Sequence, residues 1–207
     1  MAGHPSDPSD PHPHVDVGAG RLEAFSDAVM AVIMTILALE LRPPEDPTLA
    51  SLADRLPGLL IYLLSFMFIA IYWNNHHHLL RATTRISGSV MWGNMFLLFW
   101  LSLIPVLTEW LREDPRAALP VTCFGVVALC AAIAYTVLVR AIVRVNGPSS
   151  LVGMAIASDR KGKISLVLYA VAVVAASVSV WVSYACFATV SVIWLVPDRR
   201  FVRAHDR

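Results

Sequence analysis

Four polar side chains at the start of a long apolar segment are the residues best placed for chemistry. The segment, RLEAFSDAVMAVIMTILALEL, runs from Arg21 to Leu41, and its first two helical turns carry Arg21, Glu23, Ser26 and Asp27. A helix rises about 1.5 Å per residue, so this segment covers about 30 Å, the thickness of the hydrocarbon core of a bilayer. Inserting a charged carboxylate there costs about 3 kcal/mol or more, so Asp27 indicates a functional site.

The composition of the chain is typical of a membrane protein. Its mean hydropathy is +0.64 and its hydrophobic fraction is 57%, whereas soluble domains contain about 45–50% apolar residues. This composition excludes a soluble enzyme. All three cysteines, Cys123, Cys130 and Cys186, lie in apolar segments. An odd number of cysteines outside the loops indicates neither a disulfide framework nor a cysteine zinc site.

The first twenty residues predict a disordered cytosolic tail, residues 1–20. They are rich in Pro, Asp, His and Gly and contain no Lys or Arg, so they lack the basic and apolar regions of a signal peptide. Three histidines in this tail, His4, His12 and His14, are interpreted as solvated residues rather than metal ligands. Residues 198–207 predict a second, basic cytosolic tail.

Residues 21–197 predict an all-α, polytopic membrane domain of six transmembrane helices. The apolar segments are Leu22–Leu41, Leu56–Leu80, Gly88–Leu111, Leu119–Val143 and Ile164–Val196. The last segment is too long for one crossing, which takes about 17–25 residues. We therefore predict that it forms two short helices with a turn at Ser177, Val178 and Ser179.

The distribution of basic residues favours six crossings over five. With six helices, 12 of the 16 Lys and Arg residues lie on the side that holds both termini, and 4 lie on the other side. With five helices each side holds 8, and the excess that cytoplasmic segments normally carry is lost. We therefore predict that both termini are cytoplasmic.

Several short sequence patterns lie at defined places along the predicted helices. An R-x-x-x-F-S-D pattern opens the first helix at Arg21, Phe25, Ser26 and Asp27. Further matching positions are Trp73 and His77 (W-x-x-x-H) on the second helix, Asn94, Pro105 and Thr108 on the third, and Trp194 and Pro197 (W-x-x-P) near the end. The chain thus resembles the transmembrane protein 175 family of lysosomal and endosomal potassium channels, in its short prokaryotic form. The sixth helix departs from the family pattern at Val180, where a proline is expected.

The resemblance implies a passive potassium-conducting cation channel rather than an enzyme. It implies a homotetramer in which four copies of the first helix line the path and no pore loop is present. Independently of the resemblance, the sequence contains no TVGYG loop, so a carbonyl filter of that kind is excluded. The expected surroundings are the bacterial inner membrane, its lipids and monovalent cations. No nucleic acid, no catalytic residue and no cofactor other than the permeating K⁺ is expected.

One stripe of the first helix is predicted to line the pore. Val32, Ile36 and Leu39 follow the i, i+4, i+7 spacing of one helical face, and Thr35 lies beside them. The resemblance implies the same stripe, because the narrowest ring of the family lies five residues after the Asp of the pattern, which is Val32 here. We expect stacked apolar rings, with Thr35 hydroxyls contacting the ion or its waters. Ordinary packing against lipid or protein is the alternative interpretation.

The polar and aromatic residues of these patterns are predicted to hold the first helix against the second and third. This network comprises Arg21, Phe25, Ser26, Asp27, Trp73, His77 and Asn94. Its donors would satisfy a buried Asp27. The alternative is that Asp27 carries protons, in a proton-coupled secondary transporter or a proton channel. Ser26 near Asp27 and His77 is only a loose match to a nucleophile and its base, so a membrane enzyme is not predicted.

The three consecutive histidines His76, His77 and His78 predict no metal site. Neighbouring residues of a helix point about 100° apart, so these side chains do not converge on one ion within one chain. We expect His77 to turn inward to a hydrogen-bond partner, with His76 and His78 at the cytoplasmic interface beside Arg81.

Overall fold

The computed structural model of the chain describes residues 17–156 and 160–195. In these two ranges the chain forms nine helices and no β-strand, so the all-α prediction is confirmed for this part of the protein. The helices are α1 (Val17–Leu39), α2 (Leu49–Asp54), α3 (Leu56–Arg81), α4 (Gly88–Ser102), α5 (Ile104–Glu113), α6 (Ala118–Asn146), α7 (Leu151–Ile156), α8 (Arg160–Ala175) and α9 (Val180–Leu195). The predicted tails lie outside the described residues, except that residues 17–20 form the first turn of α1, where Ala19 is buried.

Four stretches of the described chain are long and apolar enough to cross a membrane: α1 from Gly18, α3, α4 together with α5, and α6. The predicted segment Gly88–Leu111 differs from the structure because it is divided at Leu103. Pro105 causes this division, since it has no N–H to donate to the carbonyl of Leu101 and its ring crowds that carbonyl. A proline in the first turn of a helix is tolerated, so α5 begins at the residue before it.

The long apolar run near the end of the chain forms two helices, α8 and α9, joined by a turn at residues 176–178. Two hydrogen bonds show that the helices run antiparallel. Near the turn, the Ser183 hydroxyl donates to the carbonyl of Ala172 over 2.7 Å. At the far end, the Trp194 indole N–H donates to the Ser165 hydroxyl over 2.9 Å. The turn includes Ser177 and Val178 of the predicted patch and begins one residue earlier, at Ala176.

Small residues allow the central helix α6 to pack closely on its neighbours. A methyl group added to Gly93 of α4 would lie 3.3 Å from the Cα of Leu138 in α6. A methyl group added to Gly125 of α6 would lie 3.0 Å from the Val173 side chain of α8. Both approaches are tighter than ordinary side-chain contacts, as is typical of helix interfaces in membranes. This packing forms the body of the subunit, against which α3, α4 and α5 hold α1.

Candidate functional site

Helix α1 has one buried face and one uncovered face. Its buried residues, on the side that contacts α3, α4 and α5, are Ala19, Ser26, Met30, Ile33 and Leu37. These positions recur every three, four or seven residues, which is the spacing of one helical face. The subunit therefore holds α1 by one side only.

The stripe that the sequence predicts as pore-lining lies on the uncovered face of α1. Val32 is 56% exposed and Leu39 is 82% exposed, and Ile36 and Thr35 are exposed as well. The Thr35 hydroxyl donates to the carbonyl of Val32 over 2.8 Å. The hydroxyl hydrogen of Thr35 therefore bonds within the helix, while the hydroxyl oxygen keeps a lone pair that can contact a cation or a water. The four residues share one face as predicted, and their role in conduction stays a prediction.

A chain of buried hydrogen bonds joins α1 to α3 and α4. Asn94 of α4 donates to the Ser26 hydroxyl over 2.8 Å, and the amide oxygen of Asn94 lies 2.6 Å from Nε2 of His76 on α3. An amide oxygen only accepts, so His76 Nε2 carries the proton and donates. The Ser26 hydroxyl donates in turn to the carbonyl of Leu22 over 2.8 Å. Ser26, His76 and Asn94 are fully buried, and we call these three residues the polar anchor.

Beside the polar anchor, Glu23, Asp27 and His77 form a second group between α1 and α3, which we call the acid–histidine cluster. His77 Nδ1 lies 2.9 Å from Glu23 Oε1 and 3.9 Å from Asp27 Oδ2. The Glu23 contact is close but lacks the alignment of a hydrogen bond. The His77 ring stacks on Trp73 with ring centroids 5.8 Å apart, and its Nε2 lies 3.5 Å from the Arg81 guanidinium.

The structure brings together five of the seven residues of the predicted network. Ser26 and Asn94 belong to the polar anchor, Asp27 and His77 to the acid–histidine cluster, and Trp73 stacks on His77. The other two are placed differently, since Arg21 is exposed and Phe25 is 48% exposed. Within the described part of one chain, the side chain of Arg21 makes no hydrogen bond or ion pair.

The prediction that His77 turns inward while His76 faces the interface is wrong. His76 is fully buried on Asn94, whereas His77 lies at the edge of α3 and is partly exposed. A signal for this was present in the sequence, because His76 stands seven residues after Ile69 and four before Leu80, on the buried face of α3. Glu23 was also missing from the predicted network, although it lies one turn before Asp27.

The C-terminal end of α1 is held by an arginine of α5. Nη1 of Arg112 donates to the carbonyl of Glu40 over 2.5 Å and pairs with the Glu109 carboxylate. The last carbonyls of a helix lack partners within the helix and carry partial negative charge, so a cation is stabilising there. Helix α1 is therefore fixed at two levels, near its middle by the polar anchor at Ser26 and just past its C-terminal end by Arg112.

Comparisons with known proteins identify relatives that match most of this chain. The sequence profile described as "Endosomal/lysosomal potassium channel TMEM175" matches residues 21–105. A protein named potassium channel from Chryseobacterium sp. (strain P1-3) is 43% identical over 185 residues, which is 89% of this chain and 96% of that protein. A protein named endosomal/lysosomal proton channel TMEM175 from Danio rerio is 27% identical over 119 residues, or 52% of this chain and 23% of that protein.

A solved structure has the same fold. It is the crystal structure of a lysosomal potassium-selective channel TMEM175 homolog from Chamaesiphon minutus, with a TM-score of 0.75 and 26% sequence identity. The match covers 86% of this chain and 97% of that chain. The shared fold extends well beyond the region that the sequence profile matches.

Proposed function

This chain belongs to the family of the endosomal/lysosomal potassium channel TMEM175, and we propose that it conducts potassium passively through a homotetrameric pore lined by four copies of α1. The similarity to the Chryseobacterium potassium channel, which extends over 96% of that protein, supports the function. The observation that carries the pore assignment is the apolar stripe of α1, which is uncovered in one chain while the opposite face is fixed to the subunit body.

The narrowest part of the proposed pore is a ring of four Val32 side chains. Valine offers no ligand that replaces the hydration shell of an ion, so the closed state blocks conduction by excluding water from the ring. Conduction then requires the ring to widen enough for a partly hydrated ion. Thr35 lies about one turn further along α1 and offers a hydroxyl oxygen. A ring of these hydroxyls supplies the preference for potassium over sodium. Apolar rings alone offer no ligand that would produce this preference.

The proposed channel crosses the bacterial inner membrane six times, with both termini in the cytoplasm and without a pore loop. Four long stretches account for four crossings, and the antiparallel pair α8 and α9 supplies the other two. Each helix of this pair has 16 residues and is about 24 Å long, somewhat shorter than the hydrocarbon core. The basic residues Arg160, Lys161 and Lys163 open α8, and their long side chains reach the cytoplasmic interface from a short helix.

A catalytic role is disfavoured by the bonds that Ser26 makes. Its hydroxyl donates to the carbonyl of Leu22 and accepts from Asn94. A nucleophile needs instead a base within hydrogen-bond reach and access to a substrate. Ser26 is fully buried, so we infer that it is a structural residue of a channel rather than the nucleophile of an enzyme.

Two flux measurements on the same proteoliposomes test the proposal. Vesicles are loaded with K⁺, diluted into Na⁺, and monitored with a dye that reports internal acidification. With a protonophore present, K⁺ leaving through the protein drives protons inward, so acidification is expected. With valinomycin in place of the protonophore, protons can enter only through the protein, and little acidification is expected. Failure of the first arm with assembled protein would refute potassium conduction.

Proton conduction through Asp27 is the second candidate function. Two observations favour it: Asp27 Oδ1 is buried with no hydrogen-bond partner among the described residues, and the Danio rerio relative is named a proton channel. This candidate predicts acidification in the valinomycin arm and its loss in Asp27→Asn. If Asp27→Asn assembles and conducts K⁺ like the parent and loses only the response to pH, Asp27 is a proton carrier rather than part of the network that holds α1.

A further inference from the structure

We propose that the acid–histidine cluster binds one divalent transition-metal ion, with Zn²⁺ as the best match, between α1 and α3. Its three residues offer two carboxylates and one imidazole, whose ligand atoms all lie within 4.8 Å of one another. Mixed carboxylate and imidazole ligands suit Zn²⁺ and its first-row neighbours, whereas Mg²⁺ and Ca²⁺ prefer oxygen alone. The binding site lies within one subunit, so this proposal does not depend on the proposed pore.

The distances in the acid–histidine cluster are close to those that zinc requires. In a tetrahedral site with bonds of about 2.0 Å, ligand atoms lie about 3.3 Å apart. His77 Nδ1 lies 2.9 Å from Glu23 Oε1 and 3.9 Å from Asp27 Oδ2, on either side of that value. The third pair of ligand atoms, from Glu23 and Asp27, lies within 4.8 Å, so side-chain rotations that shorten this distance would place the three atoms around one ion. All three side chains are between 21% and 32% exposed, which leaves a path for the ion and room for a water as fourth ligand.

The acid–histidine cluster also carries two carboxylates whose negative charge is not balanced within the cluster, and it has more hydrogen-bond acceptors than donors. Glu23 and Asp27 stand one turn apart on the same face of α1, where like charges destabilise a helix. His77 approaches both carboxylates without an aligned hydrogen bond, and Asp27 Oδ1 is buried with no partner among the described residues. A divalent cation would neutralise this pair of charges and occupy the acceptors. This electrostatic argument is independent of the distances.

Arg81 opposes metal binding in the arrangement seen here. Its guanidinium lies 3.5 Å from His77 Nε2, and because arginine can only donate, the contact favours the tautomer with the proton on Nδ1. Metal binding at Nδ1 requires the other tautomer, with the proton on Nε2, and metal-bound histidines usually donate that proton to an acceptor. Arg81→Gln provides such an acceptor in its amide oxygen. We therefore expect this substitution to tighten binding rather than weaken it.

The test is calorimetric titration of Zn²⁺ into the purified full-length channel without a polyhistidine tag. All proteins carry His4→Ala, His12→Ala and His14→Ala, so that tail histidines contribute nothing. The parent is expected to bind one Zn²⁺ per chain, and Zn²⁺ is expected to raise its unfolding temperature. Affinity should fall at least about tenfold in Glu23→Gln and in His77→Phe and should rise in Arg81→Gln. Glu113→Gln, which changes an exposed carboxylate elsewhere in the chain, should match the parent.

Two outcomes would overturn the metal site. One is parent-like zinc affinity in both Glu23→Gln and His77→Phe, which would place any bound ion elsewhere. The other is the absence of a saturable site in the parent and in Arg81→Gln. If either Glu23→Gln or His77→Phe fails to fold, the zinc affinity of the other variant and that of Arg81→Gln still test the proposed metal site. Because the measurement is of binding, failure of the proposed potassium flux would leave its result unchanged.

Discussion

The polar anchor predicts a defined loss of stability when Asn94 is changed to alanine. Asn94 makes two buried side-chain hydrogen bonds, one to Ser26 over 2.8 Å and one from His76 over 2.6 Å. Removing the amide leaves the N–H of His76 without an acceptor in a fully buried place. An unsatisfied buried group costs about 1–3 kcal/mol, and the lost bond to Ser26 about 0.5–1.5 kcal/mol more.

Together these terms predict that Asn94→Ala lowers the free energy of unfolding by about 1.5–4.5 kcal/mol, a factor of about 10–1,600 in the folding equilibrium. The matched control is Asn74→Ala, because Asn74 is an exposed asparagine on α3 and should change stability by no more than about 0.5 kcal/mol. Ser26→Ala should behave like Asn94→Ala. The two changes together should cost less than the sum of the single changes, because each removes the same bond.

Unfolding in detergent, followed by tryptophan fluorescence, measures the loss of stability, and cross-linking measures assembly. Flux from proteoliposomes then gives the ratio of K⁺ to Na⁺ conduction for the assembled fraction. We expect Asn94→Ala to reduce assembly and total flux but to keep the parent's ion preference, because the anchor lies on the face of α1 opposite the Val32 stripe. This reasoning would be refuted if Asn94→Ala had the same unfolding midpoint as Asn74→Ala. It would also be refuted if assembled Asn94→Ala channels had an altered ion preference.

Three further predictions concern α1 and its outer end. Val32→Asn should make the pore leaky or reduce its discrimination between K⁺ and Na⁺, whereas the bulkier Val32→Phe should suppress flux, both measured on tetramers in proteoliposomes. Thr35→Val, which keeps the shape but removes the hydroxyl oxygen, should lower the K⁺ to Na⁺ ratio measured from reversal potentials, and an unchanged ratio would exclude Thr35 from selectivity. Arg112→Gln should lower the free energy of unfolding by about 1.5–3 kcal/mol by removing a charged hydrogen bond, while the exposed Arg116→Gln should stay within about 0.5 kcal/mol of the parent.

Features that repeat along the chain could be predicted from the sequence. The face of α1 that carries Val32 and Leu39 follows from helical spacing alone, and the structure leaves that face uncovered. The turn between α8 and α9 follows from the length of the apolar run and from the positions of basic residues, neither of which depends on tertiary contacts. The helix boundary before Pro105 was not predicted, although the sequence contains a signal for it, because proline cannot continue the hydrogen bonds of the preceding helix.

Contacts between helices were predicted less well. The choice between His76 and His77 depends on the rotation of α3, and one residue changes the direction of a side chain by about 100°. The pairing of Arg112 with the carbonyl of Glu40 joins residues 72 positions apart. No local pattern encodes that pairing, since it depends on how α5 packs against the end of α1. The short helix α2, which the side chain of Thr48 caps by accepting from Ser51, is equally absent from the hydrophobic pattern.

The fixation of α1 at Ser26 and at Glu40 has a consequence for how a channel of this kind opens. Between Arg21 and Leu39 the helix contains neither glycine nor proline, so the usual local causes of a sharp bend are missing. A straight helix that is attached to its own subunit at two separate levels cannot tilt or slide alone without breaking one attachment. In the proposed tetramer we therefore expect each subunit to move as a rigid body, so that the proposed ring at Val32 widens as neighbouring subunits slide past one another. Spin-label distances between α1 and α5 within one subunit should then stay constant on opening, while distances between neighbouring subunits change.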